Sequence, residues 1–289
     1  MIRPLQTNDF PDVLALLQWM DDDARREVLA PDARDLEELR WENEGKTCLV
    51  ALDELGGLQA YCALAPFRDG VALEGPLGES SEQALLGVLR EATRRTRSSV
   101  YAFCAAGNAP VRAALEREGF TTMHATDFFR LGRPEAERRL AGKRGPAPLL
   151  AGLSLHGSVD PQTYQALYRS GEDAWSERLG WSSAALDAHF ARDDVRVLVL
   201  RRGRQALGFA ELEVGELAQL TYLAVHPAER GHGHGKVLLG AAVREALRHP
   251  EVGAVQARAH DHEAAARALY AKAGFTPSRS VLTYVLERE

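Results

Sequence analysis

The stretch QLTYLAVHPAERGHGHGKVLL, residues 219–239, decides how the rest of the chain is read. Its apolar run from Leu220 to Val225 has strand length, and His226 and Pro227 stop it. Arg230, Gly231, Gly233 and Gly235 follow, and an apolar pattern of helical spacing starts at Val237. Strand, glycine-rich turn and helix in this order present unpaired backbone N–H groups at a helix N-terminus, a ready site for an anion such as a phosphate. Two common phosphate motifs do not fit. A P-loop needs GxxxxGK and then Ser or Thr, but Arg230 stands five before Gly235 and Val237 follows Lys236. A dinucleotide fingerprint needs GxGxxG, and the third glycine falls on Lys236 or Leu238.

Working outward, strand-like and helix-like patterns alternate in both halves, which predicts a mixed α/β layer structure. In the first half, strands are expected at Ile2–Leu5, Cys48–Leu52, Leu58–Leu64, Val71–Leu73, Val100–Cys104 and Thr126–Leu131. Helices are expected after Asn8 or Asp9, over 35–44, from Ser80 or Ser81 to Arg95, and from Ala109 to Glu118. Residues 132–152 hold prolines, glycines and a basic cluster and read as a solvated connector, which puts the domain boundary near residue 150. The second half repeats the order, with helices over Pro161–Glu172 and from Ser182 or Ser183 to Ala191, and a hairpin of Val195–Leu200 with Ala206–Val214. A strand over Ala254–Ala259, a helix over His262–Ala273 and a strand over Ser280–Leu286 complete it. NAPVRAALEREGF (108–120) aligns with EAAARALYAKAGF (263–275), each a helix closed by glycine and a returning phenylalanine. Two copies of one fold, 1–150 and 151–289, are therefore expected.

The composition is that of a globular protein, with 45% hydrophobic and 26% charged residues over 289 positions. A net charge of −6 gives no general pull toward nucleic acid or an anionic membrane. No apolar run approaches the ~20 residues of a membrane span, and MIRPLQTNDF lacks the layout of a signal peptide. Cys48, Cys62 and Cys104 form no CxxC pair, which points to a reducing, cytoplasmic setting. His226, His232 and His234 have no carboxylate or cysteine at ligand spacing along the chain, and His260 and His262 lack a helical face, so no metal is expected.

Arg230-x-x-Gly233-x-Gly235 after a strand, together with Tyr270-Ala-Lys-Ala-Gly274-Phe275, resembles the GNAT superfamily of acetyl-CoA-dependent N-acetyltransferases, in its tandem-domain form. The resemblance is good over about 153–289 and weaker before it. It implies acetyl-CoA as cofactor. Leu223, Ala224 and Val225 would pair with its pantetheine arm, and Arg230, Gly231, His232, Gly233, His234, Gly235 and Lys236 would form the pyrophosphate turn. It also implies Tyr270 as proton donor to the departing thiolate, with the oxyanion held by a backbone N–H near Leu223–Val225. Gln219 stands where some members carry a glutamate base and cannot take a proton. Glu211 and Glu213, two apart on one strand face, are the remaining substrate-side candidates, either through a water or by binding a cationic acceptor. Glu263 stands where the family often places an asparagine.

The first half does not repeat this chemistry. Leu77, Gly78, Ser80 and Glu82 align with Arg230, Gly231, Gly233 and Gly235, and Leu115 aligns with Tyr270. A glutamate at the turn would repel a diphosphate, so this half is expected to be a degenerate copy acting as a scaffold. The implied acceptor is a primary amine on a small molecule. Protein N-termini or lysines are the alternative acceptors, and a non-catalytic sensor of acetyl-CoA or amines is the alternative function. A tandem repeat that mimics a dimer is compatible with a monomer.

Overall fold

The computed structural model describes residues 1–79, 82–141, 152–170 and 177–288. By contacts the chain forms two units. One comprises Met1–Asp127, His260–His262 and Arg279–Glu289, and the other comprises Phe128–Ala259 and Glu263–Ser278. The elements of the first half are β1 (Ile2–Pro4), α1 (Phe10–Asp21), α2 (Leu36–Glu42), β2 (Thr47–Leu52), β3 (Leu58–Phe67), β4 (Gly70–Leu77), α3 (Glu82–Arg94), β5 (Val100–Ala105), α4 (Ala109–Arg117) and β6 (Thr121–Gly132). After them come α5 (Arg133–Ala141), β7 (Leu153–His156), α6 (Pro161–Ser170), α7 (Ser183–Phe190), β8 (Val195–Arg202), β9 (Gln205–Glu213), β10 (Leu217–Val225), α8 (His234–Leu247), β11 (Ala254–His260), α9 (Ala264–Ala273) and β12 (Thr276–Leu286). Within the stretch expected as a connector, Arg133–Ala141 forms the helix α5. The rest of the basic connector, 142–151, lies outside the described residues, as do the expected caps Ser80 and Ser81 and the end of the Pro161–Glu172 helix.

Each unit is built on a mixed sheet with one pattern of pairing. In the first, β1, β2, β3 and β4 pair antiparallel in turn, β4 pairs parallel with β5, and β5 pairs antiparallel with β12 from Val281 to Leu286. In the second, β7, β8, β9 and β10 pair antiparallel in turn, and β10 pairs parallel with β11. The parallel pairs arise because α3 and α8 carry the chain back between them; two parallel strands cannot be joined by a tight turn. The last strands depart from simple succession. The C-terminal part of β12 belongs with Met1–Asp127, and the end of β6 from Phe128 onward belongs with the later unit. Along that end, Ser278 Oγ donates to Phe128 O at 3.0 Å and Thr276 Oγ1 to Arg130 O at 3.3 Å.

The apolar spacing explains the layers. In the first unit α3 places Leu85, Val88, Leu89 and Ala92 in the core with Leu49, Leu73 and Val100. In the second unit the strands bury both faces. Val195, Val197, Val199 and Phe209 meet Tyr164, Leu167 and Leu186 of α6 and α7. Leu200, Leu212, Ala218 and Leu220 meet Leu238, Leu239, Ala242 and Val243 of α8. Gly208 on β9 permits a close approach at the head of α8. A Cβ there would lie 2.4 Å from Ala224 O and 3.0 Å from Val225 Cα. Gly208→Ala is expected to destabilise the chain by about 1–3 kcal/mol, read as a lower melting temperature, because backbone rather than a movable side chain occupies the space.

Candidate active site

The site begins with an irregularity in β10. Leu220 pairs with Leu212 and Tyr222 with Glu211, so Thr221 is an extra residue with no partner of its own. Such a bulge bends the strand and shifts which residues share a face. Before it, Ala218 and Leu220 face the α8 layer; after it, Leu223 and Val225 pack there, while Tyr222 and Ala224 face the α6 layer. The parallel pairing of β10 with β11 runs from Leu217–Ala254 to Leu220–Ala257 and stops at the bulge. β10 continues to Val225 and β11 to His260. Among the described residues, no strand pairs with Leu223, Ala224 or Val225 on the side of β11, although β9 pairs with all three on the other side. The result is a wedge between β10 and β11 into which no strand is added among the described residues.

At the open end of this wedge the chain turns into α8. His226 N donates to Leu207 O at 2.8 Å, and the His226 ring accepts from Ala228 N at 3.3 Å, fixing the short turn Pro227–Glu229. Arg230 Nε donates to Val225 O at 3.3 Å, so this side chain caps the end of the strand. Gly231 and Gly233 both have φ of +81°, a left-handed conformation that glycine adopts without strain, and the space where a Cβ would project is open at both. Gly235 serves a different purpose. A Cβ there would lie 3.4 Å from Leu269 of α9, so it seats α8 against α9. Gly233 is the N-cap, and the first backbone bond of α8 runs from Val237 N to Gly233 O. The N–H groups of His234, Gly235 and Lys236 therefore precede the helical ladder and present partial positive charge. His232 and Lys236 are exposed and His234 is buried.

The turn also carries a carboxylate that spacing along the chain does not associate with its histidines. Glu229, His232 and His234 each bring one possible ligand atom within 4.8 Å of the others. Glu229 is already engaged, with both its oxygens 3.1 Å from the two terminal nitrogens of Arg202 and one of them 3.3 Å from His234 Nε2. Arg202 and His234 together hold the Glu229 carboxyl below its ordinary range.

Tyr270 projects from α9 into the apolar cluster that also packs Leu223, Val225 and Leu269. It is 4% exposed, with its ring 5.6 Å from that of Phe129 and 5.7 Å from that of Phe275. Among the described residues no hydrogen-bond partner reaches its hydroxyl. Burial, then the charge of Glu263, pushes the phenol above its ordinary value, so it stays protonated at neutral pH.

The substrate-side candidates separate. Gln219 lies exposed in the paired part of β10, opposite Glu213 and Gln256. Glu213 is half-buried and pairs with Arg192 at 3.4 Å. Glu211 is fully buried on the α6 side of the sheet. Tyr164 OH donates to it at 2.6 Å and Thr221 Oγ1 at 3.0 Å, His189 Nε2 stands at 3.2 Å, and Arg178 forms an ion pair with it. The two acidic candidates expected on one strand face are thus divided into one interior and one peripheral group. The partners of Glu211 come from α6, α7, the segment after α6 and the bulge. No local pattern in the sequence signals them.

With this geometry in view, comparison with known proteins is direct. Residues 161–275 match the model of the acetyltransferase (GNAT) family. That match falls in the C-terminal half, so it is this half that resembles the family in sequence. A segment of 92 residues is 37% identical to mycothiol acetyltransferase of Streptomyces scabiei (strain 87.22), covering 31% of this chain and 28% of that protein. The matched segment thus spans about a quarter of the curated relative. A GCN5-related N-acetyltransferase from Sphaerobacter thermophilus superposes with a TM-score of 0.69 at 15% identity, over 99% of this chain and 95% of that one. A tandem GNAT protein from the clavulanic acid biosynthesis pathway, in a structure without AcCoA, gives 0.69 at 16%, over 99% and 98%. At these identities the likeness is one of fold. That likeness runs over nearly the whole chain.

The Glu211 cluster has a testable energetic consequence. Removing one partner of a buried ion pair leaves the other charge uncompensated, at a cost of about 3–5 kcal/mol. Arg178→Ala should therefore lower the melting temperature by roughly 10 °C. Arg178→Met combined with Glu211→Leu should recover much of that loss, because apolar packing replaces the pair rather than breaking it.

Proposed function

We propose that this chain is an acetyl-CoA-dependent N-acetyltransferase that acetylates a primary amine on a small molecule, with its active site in the C-terminal half. The observation that carries the reading is the conjunction in one unit of the β10–β11 wedge, the Gly231–Gly233 turn at the head of α8, and the protonated Tyr270 in the same apolar cluster as Leu223 and Val225. The residues present fit the cofactor. The unpaired edge of Leu223–Val225 suits an amide-bearing arm, and the N–H groups of His234, Gly235 and Lys236 suit a diphosphate. Acetyl-CoA supplies an acetyl group activated as a thioester. The chain holds it along β10, offers a backbone N–H near Leu223–Val225 to the developing oxyanion, and holds at Tyr270 the proton needed by the departing thiolate. Tyr270 donates rather than accepts, since burial keeps its proton on. Glu211, engaged by four neighbours, orients the wall beside the bulge rather than taking a proton.

The match of 161–275 to the acetyltransferase (GNAT) family and of a 92-residue segment to a mycothiol acetyltransferase support acetyl transfer, and the tandem GNAT neighbour supports the fold. No helix among the described residues is long and apolar enough to cross a membrane. Three free cysteines support a cytoplasmic setting.

The test is thiol release from acetyl-CoA across a panel of small amines, peptides and lysine-bearing proteins. The protein's own thiols do not confuse it at neutral pH, since burial pushes Cys48 up to about 11 and Cys104 up to about 12. Turnover with at least one small amine is expected. Tight acetyl-CoA binding with no release from any acceptor would instead identify a sensor. Tyr270→Phe should lower kcat by about 100-fold or more with acetyl-CoA affinity within about threefold, the residue having no part in the diphosphate turn. An unchanged kcat would remove Tyr270 from the chemistry.

A further inference from the structure

The first unit contains the same parting of strands, and something already lies in it. β4 and β5 pair in parallel at Val71–Val100, Ala72–Tyr101 and Leu73–Ala102. Beyond that point β4 runs to Leu77 and β5 to Ala105, as β10 and β11 run on past Leu220 and Ala257. In the first unit the gap holds the segment Glu27–Val28–Leu29. Leu29 N donates to Phe103 O at 3.0 Å, Ala105 N donates to Glu27 O at 2.7 Å, and Gly75 N donates to Leu29 O at 2.7 Å. Val28 makes an antiparallel bridge with Cys104. Leu29 thus bonds to both strands, and the segment lies between them as a short added strand.

The surroundings fasten it there. Val28 is 5% exposed and joins the unit's apolar core. The Glu27 carboxylate pairs with Arg279. Asn108, the N-cap of α4, uses its amide to donate to Arg26 O at 2.8 Å while its oxygen accepts from Val111 N. Asn108 and Glu263 occupy the same N-cap place in the repeated helix. Leu115, which corresponds to Tyr270, is a fully buried core residue.

We infer that Glu27–Leu29 is a built-in occupant of the cofactor wedge of the N-terminal unit, closing it to acetyl-CoA and leaving the chain one cofactor site. The inference rests on the wedge of the C-terminal unit being the acetyl-CoA site. It accounts for how the first unit keeps the parted strands of a cofactor-binding fold while lacking the glycine turn. The backbone groups that a pantetheine arm would satisfy are satisfied by the chain itself.

Two measurements on the full chain test it separately from that reading. Hydrogen exchange should show the amides of Leu29, Gly75 and Ala105 protected without ligand and unchanged at saturating acetyl-CoA. Isothermal titration with acetyl-CoA should give one equivalent per chain, and Gly233→Val should weaken that binding by tenfold or more. Two equivalents, or one equivalent retained at parental affinity in Gly233→Val, would overturn the inference. So would free exchange of the three amides, or their release on adding acetyl-CoA. A complete absence of acetyl-CoA binding to the parent chain would sink the cofactor reading, and the three amides would still decide whether the segment occupies the wedge.

Discussion

The arrangement depends on one extra residue in one strand. Thr221 has no partner on β9, and its insertion turns β10 away from β11 after four residue pairs. A sheet does not leave backbone groups unpaired without consequence, since each costs free energy unless solvent or another group satisfies it. The bulge therefore creates a demand for a strand-like guest. The left-handed glycines at 231 and 233 then aim the first turn of α8 at the same opening. The magnitudes set the roles. A helix end contributes about 0.3–1 kcal/mol toward an anion, and each backbone hydrogen bond a net ~0.5–1.5 kcal/mol. On the proposed reading, affinity for acetyl-CoA comes from several strand-edge contacts acting together, and the turn adds selectivity for the diphosphate.

The two units show alternative ways to satisfy that demand. In the second, no strand among the described residues pairs with Leu223–Val225 on the side of β11, and this is the edge proposed for acetyl-CoA. In the first, Glu27–Leu29 meets it from within the chain. An intramolecular segment has an advantage that no ligand shares, because association forfeits roughly 4–15 kcal/mol of translational and rotational freedom. Once a segment of the right length lies beside the opening, a free cofactor competes poorly. If the first wedge is filled in this way, the absence of the glycine turn and of the tyrosine from that half follows, since neither would have a ligand to act on.

What the sequence reveals follows the range of the interactions. The glycine turn, the helix closed at Gly274 and the repeat of 108–120 in 263–275 depend on neighbouring residues and are plain in the chain. Asn108 and Glu263 fall on the same cap position, and Gly119 and Gly274 both adopt positive φ, as that alignment requires. The bulge is less visible because Leu220–Val225 reads as a continuous apolar run, in which a parity shift is hidden. The fate of Glu211 is not visible at all. Its four partners lie 10 to 47 residues away, and nothing local separates it from Glu213. The same holds for β6 and β12, whose patterns give strands but not the strands they join, and for Glu27–Leu29, whose role depends on an opening made some 45 residues later in the chain.

The central claim is that the wedge and turn of the C-terminal unit hold acetyl-CoA through backbone groups. The most direct measurement is an amide NMR titration of the isotope-labelled chain with acetyl-CoA. The account predicts large shifts confined to Leu223–Val225 and Gly231–Lys236, with Glu27–Leu29 and Phe103–Ala105 unmoved. Shifts at Phe103–Ala105 with Gly231–Lys236 silent would contradict it.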